Sequence, residues 1–174
     1  TALLSSINPL IYRSVFGFDI LCYAGPETGM KDQISYFLCQ GNIHLLITSA
    51  IDRGSSLFQH VINHDESIKD IAFVVNNVPS FYEAAIRAGA TPILPPTEFK
   101  DGKKRLLKAT IQTFGNTVHS LIEEEGSFSY RLPFYEKLDY PPNKNNADLE
   151  DLDHIAVAIE TGSLEKWRRF YEDI

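Results

Sequence analysis

The chain has 174 residues, 44% of them hydrophobic and 22% charged, and its formal net charge is -7 at pH 7. This composition suits a globular protein with a buried core and excludes intrinsic disorder. The acidic balance, with Lys and Arg clustered only in a short group at 100–105, excludes nucleic acid as a main partner, and no apolar run approaches the roughly 18 residues of a membrane span.

The first part of the chain predicts a helix followed by three strands. Residues 1–9 show no clear period, and 10–15 predict the last turns of a helix that Gly17 ends. Strands are predicted at 19–23, 33–40 and 43–49, the last two joined by a turn at Gly41 and Asn42. Residues 52–67, with a helical turn predicted at 57–62, form the connection to the next unit.

The second part predicts a strand, a helix and three more strands. The strands are expected at 69–75, 91–94, 104–113 and 117–123, and the helix at 79–88, closed by Gly89. The helix-closing glycines lie 72 residues apart and the hairpin glycines, Gly41 and Gly115, lie 74 apart. Two spacings this similar indicate a duplicated unit. On this period the first strand of the first unit falls before residue 1.

The pattern starts a third time after a break. Residues 126–150 are rich in Pro and Asn and predict a linker, and a strand at 153–159 and a helix at 163–174 follow. Aligning 153–159 with 69–75 places His154 on Asp70. The predicted helix has an apolar face for which the pattern offers no sheet. We therefore expect the chain to be a fragment, truncated at both ends.

Six short motifs occur in an order typical of one family. They are Gly25-Pro26-Glu27-Thr28-Gly29, the hairpin at Gln40-Gly41, Lys69-Asp70-Ile71-Ala72-Phe73, Gly89-Ala90 followed by Ile93, Gln112 to His119, and Leu152-Asp153-His154-Ile155. The chain resembles the 4-hydroxyphenylpyruvate dioxygenases from about residue 12 to its end. Two departures are Asp65-Glu66-Ser67 in place of a glycine-containing loop and Phe134 in place of a linker glycine.

The resemblance implies an α+β fold, the vicinal oxygen chelate (glyoxalase/bleomycin-resistance/dioxygenase-like) fold of paired βαβββ modules. It implies that residues 1–125 form an amino-terminal non-catalytic domain, 126–150 the linker, and 151–174 the start of a truncated catalytic domain. In this family the catalytic domain holds Fe(II) with two histidines and one glutamate. The Asp-His-Ile motif carries the first ligand, here His154, and the other two lie further downstream.

The implied function is that of an Fe(II)-dependent dioxygenase in tyrosine catabolism, which converts 4-hydroxyphenylpyruvate, a 2-oxo acid, to homogentisate with O2 and release of CO2. The fragment alone is expected to be inactive. Two alternatives stay open: a hydroxymandelate synthase of the same family, and a metal-free ligand-binding protein of the same fold. We further expect a homo-oligomer in the cytoplasm with no membrane partner; two cysteines without a disulfide framework also favour this compartment.

Other candidate residues have structural interpretations beside functional ones. His60 and His64 are four apart, so a helix would place them on one face like half of a zinc site, but no further ligand motif accompanies them. A metal site of Asp70, His119 and Glu123 is conceivable, although paired or solvated roles are favoured, with His119 structural. Cys22 and Cys39 lie in apolar runs and are expected to be buried thiols without a catalytic role.

Overall fold

The structure is a computed structural model that describes residues 2–4, 8–123, 132–145 and 147–174. The chain divides into two compact units, residues 1–69 with 127–153 and residues 70–126 with 154–174. In chain order the elements are β1 (Ala2–Leu4), α1 (Pro9–Phe16), β2 (Asp19–Ala24), β3 (Gln33–Gln40), β4 (Ile43–Ala50), α2 (Ser56–His64), β5 (Asp70–Val74), α3 (Val78–Arg87), β6 (Thr91–Asp101), β7 (Lys104–Gln112), β8 (Val118–Glu123), β9 (Glu136–Lys137) and α4 (Leu164–Asp173). Within this described part, no helix is long and apolar enough to span a membrane.

The first unit contains a five-stranded sheet in the order β1-β4-β3-β2-β9, with β1 parallel to β4 and the other pairs antiparallel. Its α1 begins where the Asn8 side chain accepts a hydrogen bond from the Leu10 N–H at 3.0 Å. Gly17 ends the helix with a φ of 83°, and a Cβ there would lie 2.3 Å from the Asn145 carbonyl oxygen. Both the left-handed backbone and the close approach of the linker therefore require glycine at this position.

The second unit contains a four-stranded sheet in the order β5-β8-β7-β6, with β5 parallel to β8. The Asn77 side chain accepts from the Ser80 N–H at 2.8 Å and starts α3, which has Pro79 in its first turn. This helix buries Val78 and Ala85 on one face of the sheet. The two small clusters that result include Ala109, Leu121, Ala90 and Ile111.

The two units repeat one topology, in which a first strand pairs in parallel with the fourth and the order is first, fourth, third, second. A buried pair of hydroxyls repeats as well: Ser35 and Thr48 lie 2.7 Å apart on β3 and β4, and Thr110 and Ser120 lie 3.3 Å apart on β7 and β8. The predicted α+β fold of paired βαβββ modules is confirmed.

Several local predictions were wrong. The first strand of the first module is β1 and does not fall before residue 1. The strand predicted at 91–94 continues to Asp101. The helical turn predicted at 57–62 is present, as part of the longer helix α2. Within the predicted linker, β9 adds to the edge of the first sheet beside β2. The linker residues 126–131 and Asn146 lie outside the described residues, and the predicted domain boundaries stay a prediction.

The predicted strand at 153–159 is not formed. These residues have no regular secondary structure, and Ile155 and Val157 are exposed. A strand needs a neighbouring strand to accept its backbone hydrogen bonds. None of the strands in the described ranges pairs with this segment. The predicted helix that follows is present as α4, and its apolar face does have a cover, since Phe170 and Ile174 pack against Ala85, Ala90 and Ile111 of the second module.

Two residues outside the regular elements keep a backbone conformation that favours glycine. Asp65 has a φ of 52° and Phe134 a φ of 67°. Both stand where the chain departs from the glycine-containing stretches of the family that it resembles. A positive φ costs a residue with a Cβ roughly 1–2 kcal/mol relative to the right-handed region.

Candidate metal ligands and the polar residues of the second module

His154, the predicted iron ligand, lies in the exposed irregular segment before α4. The segment ends in a turn in which the Ser163 N–H and hydroxyl both donate hydrogen bonds to the Glu160 carbonyl, at 3.0 and 2.7 Å. An exposed imidazole can reach a metal ion with either ring nitrogen. The equivalence of His154 with Asp70, which the aligned sequences predict, stays a prediction because the segment forms no strand.

Asp70, at the start of β5, is held by the neighbouring strands. Its carboxylate accepts from the Ser120 hydroxyl at 2.5 Å and the Ser120 N–H at 3.1 Å, and the Lys108 ammonium lies 3.7 Å away. A carboxylate removed from water needs such partners, because leaving it unpaired costs several kcal/mol. Asp70 thus has the paired, structural role favoured by the sequence.

His119, on β8, points to the opposite face of the same sheet. Asp70 pairs with Val118 across the β5–β8 ladder, so their side chains share one face while that of His119 lies on the other. The His119 Nδ1 lies 3.2 Å from the Ile71 carbonyl oxygen, so it carries the proton, and Nε2 accepts from the Tyr171 hydroxyl at 2.8 Å. Burial lowers the pKa of His119, with the Ile71 carbonyl and the Asp70 charge opposing that shift.

Glu123, at the end of β8, accepts a hydrogen bond from the Val78 N–H at the start of α3, at 2.9 Å. A carboxylate there satisfies an otherwise unpaired helix N–H and interacts favourably with the helix dipole. Asp70, His119 and Glu123 therefore have separate structural partners, and the conceivable metal site formed by the three is not assembled.

His60 and His64 do share one face of α2, as their spacing predicts, with ring centroids 4.8 Å apart. The His60 Nε2 lies 2.9 Å from the Ser67 hydroxyl. Burial, with smaller contributions from the charges of Lys69 and His64, lowers the pKa of His60 to about 4. This histidine is neutral at pH 7 and forms a hydrogen bond with a hydroxyl group, as expected of a residue with a structural role.

The cysteines are thiols outside any disulfide. Cys22 is buried and Cys39 half-buried, and burial raises the pKa of Cys39, with a further contribution from Asp19. A raised pKa disfavours the nucleophilic thiolate. Their predicted structural role agrees with these surroundings.

No metal centre is formed by the described residues. Within 2–4, 8–123, 132–145 and 147–174, no group of three or more His, Cys, Asp or Glu is close enough to hold a metal ion. The residues present therefore do not fit a complete iron site, and His154 can supply at most one ligand to it.

Sequence comparison relates the chain to enzymes of known name. It is 30% identical over 176 residues to 4-hydroxyphenylpyruvate dioxygenase from Yarrowia lipolytica, in a match that covers 93% of this chain and 43% of that protein. Over nearly all of its length the chain is thus similar to members of the 4-hydroxyphenylpyruvate dioxygenase family. It spans less than half the length of this relative, and no family model matches it.

Structure comparison supports the same family. A mutant of 4-hydroxymandelate synthase from Streptomyces coelicolor matches 99% of this chain and 50% of its own, with 28% identity and a TM-score of 0.83. Methylmalonyl-CoA epimerase from Mycobacterium tuberculosis matches 72% of this chain and 86% of its own, with a TM-score of 0.56 and 12% identity, which shows the fold alone. The chain has the vicinal oxygen chelate fold that the family resemblance implied, built from the βαβββ units that the repeat predicted.

Sequence reasoning missed the aromatic cluster around His119. Phe73 and Phe114 lie edge-on to its ring, at centroid distances of 5.0 and 6.1 Å, and Tyr171 of α4 lies at 5.7 Å. The sequence did show one part of this cluster, the apolar face of the last helix, which includes Trp167 and Tyr171. What the sequence did not show is that this face contacts the second module.

Proposed function

We propose that this chain is the amino-terminal part of an Fe(II)-dependent dioxygenase that converts 4-hydroxyphenylpyruvate and O2 to homogentisate and CO2. The observation that carries the proposal is the sequence identity with a dioxygenase of that name across 93% of the chain, together with the Asp-His-Ile motif at 153–155. On this proposal the two βαβββ modules form the non-catalytic domain, and the catalytic domain begins near residue 151.

In the proposed enzyme, His154 contributes one imidazole to the iron. An Fe(II) ion bound by two histidines and one carboxylate keeps a face of open positions, which a 2-oxo acid and O2 need in order to bind together. The other two ligands lie outside this chain.

Oxygen uptake tests whether the activity requires residues beyond the non-catalytic domain. The 174-residue chain with ferrous iron and 4-hydroxyphenylpyruvate is expected to show no oxygen uptake above the iron-only background. A single histidine ligand cannot bind the iron in the geometry that leaves coordination positions open for the substrate and O2. A chain extended to the length of the curated relatives should restore uptake and form homogentisate. Homogentisate formed by the 174-residue chain itself would contradict the proposal.

A second candidate is a hydroxymandelate synthase, which the close structural match to that enzyme favours. The substrate is the same, but the side-chain carbon is oxidised in place of the ring. Chromatography of the product of the extended enzyme decides between the two, since homogentisate and 4-hydroxymandelate are separate compounds. Formation of 4-hydroxymandelate alone would replace the first assignment by the second.

A further inference from the structure

The last helix, α4, lies against the second module through aromatic side chains. Trp167 contacts Phe114 edge-on at a centroid distance of 5.9 Å, and Phe170 and Ile174 pack on Ala85, Ala90 and Ile111. The opposite side of the helix is exposed and carries ion pairs of Arg168 and Arg169 with Glu165. Exposed pairs of this kind add little to stability. The helix therefore depends on its aromatic face for its position.

Burial of apolar surface is by itself non-directional, so a hydrogen bond within this contact adds a constraint on the orientation of the helix. The hydrogen bond between Tyr171 and His119 supplies this constraint. The Nδ1–H of the imidazole donates a hydrogen bond to the Ile71 carbonyl oxygen. Nε2 is therefore the acceptor, and it lies 2.8 Å from the Tyr171 hydroxyl. His119 itself is 5% exposed, so its ring is a rigid reference point on β8.

This contact is joined to the candidate ligand segment by a short, hydrogen-bonded turn. The segment 154–162 ends in the turn at Glu160–Ser163. The helix begins directly after this turn, where the Trp167 N–H donates a hydrogen bond to the Ser163 carbonyl at 3.2 Å. A ten-residue helix is marginal by itself in water. If α4 loses its docking contact, the segment with His154 loses its fixed end.

We propose that His119 and Tyr171 are positioning residues: their hydrogen bond fixes α4 on the second module and thereby holds the 154–162 segment, with His154, in place for metal binding. The second half of this statement rests on the proposed function, whereas the docking of α4 does not. The second βαβββ module thus has a task in the proposed enzyme although it carries no ligand of its own.

The docking of α4 can be followed through Trp167, the single tryptophan of the chain. Tyr171→Phe removes only the hydroxyl, and His119→Leu removes the acceptor, so both should shift Trp167 emission to longer wavelength. Acrylamide quenching of Trp167 and amide hydrogen exchange in α4 should each rise about two-fold or more. His119→Gln should restore the wild-type emission, because its amide oxygen can accept the same hydrogen bond.

The control is His60→Gln, which changes the other neutral, hydroxyl-bonded histidine and should leave Trp167 emission unchanged. Tyr171→Phe keeps the ring and is expected to fold, so the test does not depend on the leucine variant. Wild-type emission, quenching and exchange in Tyr171→Phe would overturn the docking claim. So would a His119→Gln variant that behaves like His119→Leu.

Iron content of the extended enzyme tests the second half. Tyr171→Phe should weaken iron binding about 10-fold, the lower end of the cost of losing a group that orients a metal ligand. The positioning role would be overturned if Tyr171→Phe releases α4 but binds iron with wild-type affinity, while His154→Ala removes the iron. Retention of iron by His154→Ala would instead contradict the ligand assignment, and the Trp167 result would still report on α4.

Discussion

Among the individual residues, the histidines differ mainly in what surrounds them. His119 is enclosed by aromatic rings and has a carbonyl and a hydroxyl on its two nitrogens. His60 is buried against Ser67, and its low pKa keeps it neutral. His154 alone of these three is exposed. On the proposed function, His154 is the candidate iron ligand, and its exposure separates it from the two buried histidines.

We expect His154→Ala to remove most of the iron from the extended enzyme and nearly all of its turnover, while the fold remains. The loss should exceed the roughly 10- to 100-fold effect of removing a partner that only orients a ligand. Iron content by mass spectrometry and oxygen uptake measure the two effects. Asp70→Asn is the matched control, since it keeps an oxygen for the hydrogen bonds from Ser120. Iron loss in the control but not in His154→Ala would refute the assignment.

At the scale of the elements, the linker is attached to the first module by a polar clamp. The Arg13 guanidinium donates to the Pro141 carbonyl at 2.6 Å, lies 3.4 Å from Asp19 and stacks 5.6 Å from the Tyr140 ring centroid. The Asn143 N–H donates to the same Asp19 carboxylate at 2.8 Å. One planar guanidinium makes three of these contacts, which a lysine ammonium cannot reproduce.

Arg13→Lys is therefore expected to loosen the linker without unfolding the module. Amide hydrogen exchange at 136–145 should accelerate, while the loss of global stability stays within about 1 kcal/mol because the ion pair is partly exposed. Arg87→Lys is the control, as Arg87 makes only an exposed pair with Glu83 at 4.0 Å. Unchanged exchange at 136–145 in Arg13→Lys would show that the clamp does not hold the linker.

For the whole molecule, the buried histidines predict acid sensitivity. The folded pKa values of His60 and His119 lie below the ordinary value of 6.5, chiefly because of burial. As pH falls below 6.5, the unfolded chain binds protons that the folded chain does not, so the free energy of unfolding decreases. For His60 this window extends from 6.5 down to about 4. The lowered pKa values of carboxylates such as Glu27, Glu98 and Glu165 change stability in the same direction, but mainly at more acidic pH.

Urea denaturation at pH 7.5, 6 and 5 measures this effect. The free energy of unfolding should fall monotonically across the series, and His60→Gln should reduce the slope because a non-titrating amide replaces the imidazole. His119→Gln should reduce it independently, since the two histidines belong to different compact units. Stability that rises toward pH 5, or equal slopes in all three proteins, would be incompatible with neutral buried histidines.

Much of the fold could be predicted from local patterns in the sequence. The strands β2, β3, β4, β5, β7 and β8 and the helices α3 and α4 lie close to their predicted ranges. The reason is that capping residues, Pro, Gly and apolar alternation act within a few positions of the elements that they mark. The repeated strand and helix pattern, with glycines spaced 72 and 74 residues apart, was enough to predict the duplicated βαβββ unit. The family, and His154 as a candidate ligand, also followed from short motifs.

What the tertiary structure alone decided concerns partners that are far apart in the sequence. The apolar run at 153–159 has strand composition, but no strand among the described residues pairs with it. The short β1 and β9 become strands because β4 and β2 lie beside them. Asp70 and His119 are candidates for one site by residue type, yet the register of β5 against β8 places them on opposite faces. Tyr171 meets His119 from 52 positions away. Residue type limits what a side chain can bind, but ladder register and helix docking bring the partners together, and both depend on contacts that no local pattern encodes.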